Sequence, residues 1–234
     1  MTRPAWFPDE RAKAGPEHLE PEYVAGYDRK SAFDPMPDLE ILKGLGLGAG
    51  STLIDVGAGT GTFSLAAAPL CERVIALDPS PAMLEVLAAK AKRQDVTNIE
   101  VVNQGILEYE HRGELAAFVY SKNALHHLPD FWKAIALERI AAMMKPGGVF
   151  RLRDLVYSFD PKDADAVFEA WLSAVPTDPA LGWTRPELET HIREEFSTYS
   201  WLLEPMLARA GFEIRAAEQA PSRVFAAYTC LKSR

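Results

Sequence analysis

The densest run of chemically suggestive residues is Leu53-Ile54-Asp55-Val56-Gly57-Ala58-Gly59-Thr60-Gly61. An apolar run ends there in glycines, and a helical window follows. Glycine tolerates positive φ and removes the Cβ atoms that would hold a ligand away from the backbone. The first turn of the following helix offers unpaired N–H groups and a positive dipole end, suited to a carboxylate or phosphate. About 20 residues further on, Asp78 closes the next apolar run, where a carboxylate can accept both hydroxyls of a ribose. This pairing predicts a seat for an adenosine-bearing cofactor. A tight strand-to-helix turn also needs glycine for structural reasons alone, so Asp78 carries the ligand reading. The spacing Gly57-x-Gly59-x-Gly61 differs from the G-x-G-x-x-G of dinucleotide sites, which leaves a nicotinamide-dependent oxidoreductase as the weaker alternative.

Further candidates stand where predicted strands end. Asn123, His126 and His127 follow the fourth strand, and Asp154 ends the fifth in Arg151-Leu152-Arg153-Asp154. The two histidines admit a structural role, one ring capping the next helix, or a role near substrate. Asp154 admits an ion pair with Arg151 or Arg153, or a substrate contact as a base. No nucleophile, base and orienter are grouped in sequence, and the scattered His and carboxylates lack metal-ligand spacing. The expectation is therefore no covalent catalysis and no metal.

The elements that must position these groups follow an alternating rhythm. Thr52–Val56, Arg73–Leu77, Ile99–Val102, Ala117–Ser121 and Val149–Arg153 read as strands; Thr62–Leu70, Pro81–Lys92 and Asp130–Met144 read as helices between them. Strands joined by helices of this length predict βαβ crossovers and a parallel sheet covered on both faces. Near the end, helix Trp201–Ala210 stops at Gly211. Glu213–Ala217 and Val224–Leu231 then predict an antiparallel hairpin, for seven strands in all. Helical character also appears at Glu17–Tyr27 and Pro37–Leu45.

Bulk properties narrow the partners. The 234 residues suffice for one large domain, and 48% hydrophobic against 25% charged residues is ordinary for a globular core. With 33 Asp+Glu against 25 Lys+Arg the net charge is −8, which disfavours nucleic acid. Cys71 and Cys230 are too isolated for a disulfide framework. No apolar run is long enough to span a bilayer, so no membrane partner is expected, and the cytoplasm is the expected location. Oligomeric state is left open.

Asp55-Val56-Gly57-Ala58-Gly59-Thr60-Gly61, Leu77-Asp78-Pro79-Ser80-Pro81-Ala82-Met83-Leu84, Asn123-Ala124-Leu125-His126-His127-Leu128 and Leu137-Glu138-Arg139-Ile140 through Lys145-Pro146-Gly147-Gly148 together resemble the class I S-adenosylmethionine-dependent methyltransferases. The resemblance implies a Rossmann-like α/β fold of seven strands in the order 3-2-1-4-5-7-6, the last pair antiparallel, with helices on both faces. It implies S-adenosyl-L-methionine as cofactor, S-adenosyl-L-homocysteine as product and a small-molecule acceptor. A cofactor-binding module with weak or no catalysis is the alternative. By the same resemblance, Gly57, Ala58 and Gly59 face the methionine part, and Asp55 precedes them. Asp78 takes the ribose, Pro79 and Met83 flank adenosine, and Asn123 and Gly105 border the site. Ile106 replaces an acid that many members place by the adenine amino group, so adenine would rest on stacking. Residues 1–36 form the expected lid, with Tyr27 closing on the methionine end, and residues 37–234 the catalytic domain. Within that domain, residues 156–200 are an expected helical insertion over the acceptor site, where Trp171, Trp183, Phe196, Tyr199 and Trp201 are candidate walls. His126, His127 and Asp154 are the candidate catalytic groups.

Overall fold

The computed structural model describes residues 4–233. Four short helices lead in: α1 (Pro16–Leu19), α2 (Pro21–Val24), α3 (Tyr27–Ser31) and α4 (Met36–Gly44). The alternating part then runs β1 (Thr52–Val56), α5 (Thr62–Ala67), β2 (Arg73–Leu77), α6 (Pro81–Arg93), β3 (Ile99–Val102), β4 (Ala116–Lys122), α7 (Asp130–Ala142) and β5 (Met144–Tyr157). It ends with α8 (Ala164–Ser173), α9 (Arg185–Glu194), β6 (Thr198–Tyr199), α10 (Ser200–Arg209), β7 (Phe212–Gln219) and β8 (Phe225–Lys232).

The sheet order is β3-β2-β1-β4-β5-β8-β7, with β6 pairing β5 off that path. Pairs from β3 to β5 are parallel, whereas β5–β8 and β7–β8 are antiparallel. The expected order holds once the extra strand is counted. That strand is two residues long, Thr198 and Tyr199 alongside Val156 and Tyr157, too short to leave a periodic signal. The fifth strand starts earlier than expected. Met144 already pairs with Ala116, and the register then shifts before Phe118 meets Val149. Gly147, at φ +75°, lets the intervening residues bulge out instead of ending the strand.

Alternation along the central strands divides the core into two layers. Ile54 and Val56 of β1 join Ile75, Leu77, Leu137, Ile140, Phe150 and Leu207 on one face. Leu53 joins Leu39, Leu42, Phe63, Val74, Phe118 and Tyr120 on the other. Asp55 lies on that second side among apolar neighbours, 2% exposed, and accepts a hydrogen bond from Ser64 Oγ at 2.6 Å. The same period of two corrects the expected pairing of Asp154. Arg151 and Arg153 point together toward α4, where both bind Asp38 at 3.0 and 2.8 Å. Asp154 is one residue out of phase and faces the opposite way.

Candidate functional site

The carboxyl ends of β1 and β2 bring the glycine turn and its acid into contact. Asp78 Oδ2 accepts from Gly59 N–H at 2.8 Å and Oδ1 from Ser80 N–H at 2.8 Å. Gly57 and Ala58 both donate to the Leu77 carbonyl at 2.9 Å, which cinches the turn onto β2. The three glycines answer different needs. A Cβ on Gly57 would stand 2.4 Å from Ala124 Cβ, and one on Gly61 2.4 Å from Leu87 Cγ. Those two permit close packing. Gly59, at φ +53°, has nothing within 4 Å of its missing Cβ and alone opens onto free space. Burial pushes the Asp78 carboxyl upward, opposed by its two backbone donors. Burial likewise pushes Asp55 up to about 7.

Gly57, Gly59, Asp78, Pro79, Gly105, Ile106, Asn123 and His127 line one cavity with about 700 Å³ of free space, counting its mouth. Ala58 and Asp55 sit in a smaller adjoining recess with Thr60 and Lys122. Met83 is wholly buried and is absent from the cavity lining. The chain before α1 supplies a wall that sequence reasoning missed. Glu10, 9% exposed, enters beside Ile106, and its Oε2 accepts from Leu107 N–H at 2.9 Å. Gly105 makes room for it, since a Cβ there would lie 2.2 Å from the Glu10 carboxyl carbon. Burial raises Glu10 to about 7, against the pull of the Leu107 N–H. A carboxyl group therefore does stand beside Ile106, delivered from a distant part of the chain.

A second and larger cavity, about 1270 Å³ on the same measure, opens between the leading helices and residues 156–200. Tyr23, Tyr27, Trp171 and Trp183 give it aromatic walls. Of the other three candidate wall residues, Tyr199 packs on Tyr157 and Phe159, Trp201 stacks on Tyr199, and Phe196 is 38% exposed; none lines the cavity. His18, Tyr27, Lys122 and Asn123 line both cavities and form the partition between them. Asn123 takes φ +50°, which turns the chain sharply after β4 and sets it on that partition. Burial and nearby Arg153 depress Lys122 to about 8.

His126 lines the second cavity and His127 the first, with their ring centroids 4.3 Å apart. Asp154 organises this turn. Oδ2 accepts from the N–H groups of Leu125 and His126 at 2.9 and 3.2 Å, and Oδ1 holds His126 Nδ1. Asp154 lines neither cavity. It acts through His126, which corrects both earlier readings of it. On the far side of the ring, His126 Nε2 lies 3.0 Å from Glu195 Oε2. Burial alone would lower the His126 pKa, but Asp154 and Glu195 outweigh it and raise it to about 9. Burial, with the neighbouring His126 and His18, drives His127 well below the ordinary value, and Glu195 opposes them too weakly to offset this. Glu195 and His191, missed from sequence, enter because the insertion folds back over the end of β4.

The chain is similar to known methyltransferases in sequence and in fold. Residues 53–148 match the methyltransferase domain family. The chain carries a class I methyltransferase domain. An uncharacterized methyltransferase of Geobacillus kaustophilus is 24% identical over 90% of this chain and 86% of its own length. A ubiquinone biosynthesis O-methyltransferase of Methylobacterium is 33% identical over 44% of this chain and 40% of its own. In fold, the chain superposes on the magnesium protoporphyrin IX methyltransferase of Synechocystis, solved with bound S-adenosylmethionine. That match has a TM-score of 0.64 at 14% identity and covers 99% and 100% of the two chains. The Rossmann-like expectation is thereby met, and methyl transfer is favoured over nicotinamide chemistry.

Proposed function

We propose that the first cavity holds S-adenosylmethionine and the second a small-molecule acceptor, and that methyl passes between them across their common partition. The observation that carries this reading is the sharing of His18, Tyr27, Lys122 and Asn123 by the two cavities. A donor and an acceptor held in separate cavities with one partition can meet without either leaving its walls.

The residues present fit the cofactor. Gly59 leaves an open cradle beside Asp78, whose carboxylate is placed to exchange its backbone donor for ribose hydroxyls. Pro79, Ile106 and Leu128 offer apolar faces for a base. When bound, S-adenosylmethionine supplies a sulfonium-activated methyl group. The protein's part is alignment and exclusion of water, effects that together contribute roughly 7–11 kcal/mol in well-oriented reactions. Tyr27 and His18, carried by the leading helices, roof the cofactor and exclude water in the manner of a lid. His126, held by Asp154, lines the acceptor cavity and holds a proton at Nε2 while no cation is bound there; His127, kept neutral, lines the cofactor cavity. The aromatic walls of the second cavity suit a flat or apolar acceptor of modest size.

Isothermal calorimetry with S-adenosylhomocysteine tests the donor half, with one tight site expected per chain. A mass-spectrometric screen for a 14-dalton gain across quinols, phenols and amines tests the acceptor half, the methylene increment being a matter of atomic mass. Absence of cofactor binding would overturn the assignment outright. Binding without transfer to any acceptor class would favour the non-catalytic alternative.

A further inference from the structure

His126, His127 and Glu195 converge on one point, and the arrangement is that of ligands short of an ion. Among the described residues their three potential donor atoms all lie within 4.8 Å of one another. Two buried atoms of these residues, His127 Nδ1 and Glu195 Oε2, have no hydrogen-bond partner. Glu195 Oε2 approaches His126 Nε2 at 3.0 Å and contacts His191 Nδ1, yet neither approach has hydrogen-bond alignment. Two ligands bound at about 2.0–2.1 Å in a tetrahedral site stand roughly 3.3 Å apart, with lone pairs aimed at the ion and not at each other. A misaligned N···O pair at this separation matches that geometry better than a hydrogen bond.

The surroundings supply what such a site needs. Asp154 takes His126 Nδ1, fixing the ring so that Nε2 faces the cluster; carboxylate–histidine pairs orient metal ligands in this way. His191 Nε2 is 3.2 Å from Ser197 Oγ, which leaves its Nδ1 turned toward Glu195. His126, His191 and Glu195 line the second cavity, so an open coordination position would face the acceptor.

We propose that His126 Nε2, His127 Nδ1 and Glu195 bind one divalent transition cation of the Zn²⁺ or Fe²⁺ class, with His191 as an available fourth ligand. Two imidazoles and one carboxylate select that class over Mg²⁺ or Ca²⁺. Its function, which rests on the acceptor assignment above, is to hold an acceptor oxygen as its conjugate base while the proton leaves to solvent. Binding itself is independent of that assignment.

The test is titration of the chelator-treated full-length protein with Co²⁺, followed by visible ligand-field absorption, then displacement by Zn²⁺. One saturable equivalent is expected. His127→Asn and Glu195→Gln should each weaken it by about 10–100-fold, as losses around a metal site do, while His111→Asn leaves it unchanged. Circular dichroism of each metal-free variant establishes that it is folded. Should either variant unfold, histidine NMR of the unaltered protein decides. Zn²⁺ should shift the ring signals of His126 and His127 and leave those of His111 in place. No saturable binding, equal binding by folded variants, or shifts confined to other histidines overturns the site. S-adenosylhomocysteine calorimetry of the metal-free protein separates this failure from a failure of the cofactor assignment.

Discussion

Asp78 concentrates the cofactor argument in a single side chain. Its carboxylate is bonded to Gly59 N–H and Ser80 N–H, and Gly59 beside it opens onto the cavity. Asp78→Ala should weaken S-adenosylhomocysteine binding by about 1–3 kcal/mol, the usual cost of losing charged hydrogen bonds; calorimetry of the two proteins measures it. Asp78, Gly57 and Gly59 were legible because a strand end, a glycine turn and an acid at the next strand end form a local pattern. Glu10 was not legible. Ile106 advertised a missing acid, but nothing in the sequence indicates that a carboxylate far upstream comes to lie beside it. The only trace is Gly105, whose lack of a side chain makes room. Asp154 teaches the converse lesson. Its neighbours Arg151 and Arg153 were nearer in sequence than His126, yet strand alternation sets them on the opposite face, beside Asp38.

At the scale of elements, the junction between β1 and α5 depends on Gly61. At φ +82° it stands against Leu87 of α6, so Gly61→Ala adds both strain and a clash. A loss of about 1–3 kcal/mol in urea-unfolding free energy is expected, in the range of overpacked sites. The Asp38 cluster joins α4 to β4 and β5 through Tyr120, Arg151 and Arg153. Asp38→Ala leaves the buried Arg151 guanidinium with Glu218 and Thr229 only. The expected destabilisation is about 3 kcal/mol, toward the lower end for breaking a buried pair, because part of the network survives; the unfolding midpoint reports it. Strand order and the final hairpin were legible because buried strands and amphipathic helices repeat over many residues. The bulge at the start of β5 and the two-residue β6 were not. Each depends on partners brought alongside by the folded chain, and neither is long enough to show a period.

For the molecule as a whole, three buried groups set one pH response. Glu10 and Asp55 are each raised to about 7, so burial favours their protonated forms. Their contributions are complete below the ordinary carboxylate pKa and are lost as pH rises through about 7. In the metal-free protein His126 is raised to about 9, so its ionised form is favoured and its contribution is lost between the ordinary imidazole value and about 9. All three signs agree and together lower the melting temperature from about pH 5 to pH 9, opposed by His127 and Lys122, whose depressed values add stability as pH rises. Glu10→Gln should flatten the part of that fall between the ordinary carboxylate range and about pH 7, which differential scanning calorimetry across the range resolves. The leading helices and the insertion also clasp one another. Lys30 pairs with Glu187 and lies over the Trp183 ring at 4.8 Å, while Tyr27 meets Trp183 edge-on. One clasp thereby shapes two cavities, since His18 and Tyr27 wall both. Occupancy of either chamber stiffens the wall of the other, and thermodynamic linkage makes that influence mutual. Under the proposed assignment, donor and acceptor should therefore raise one another's affinity by the same factor.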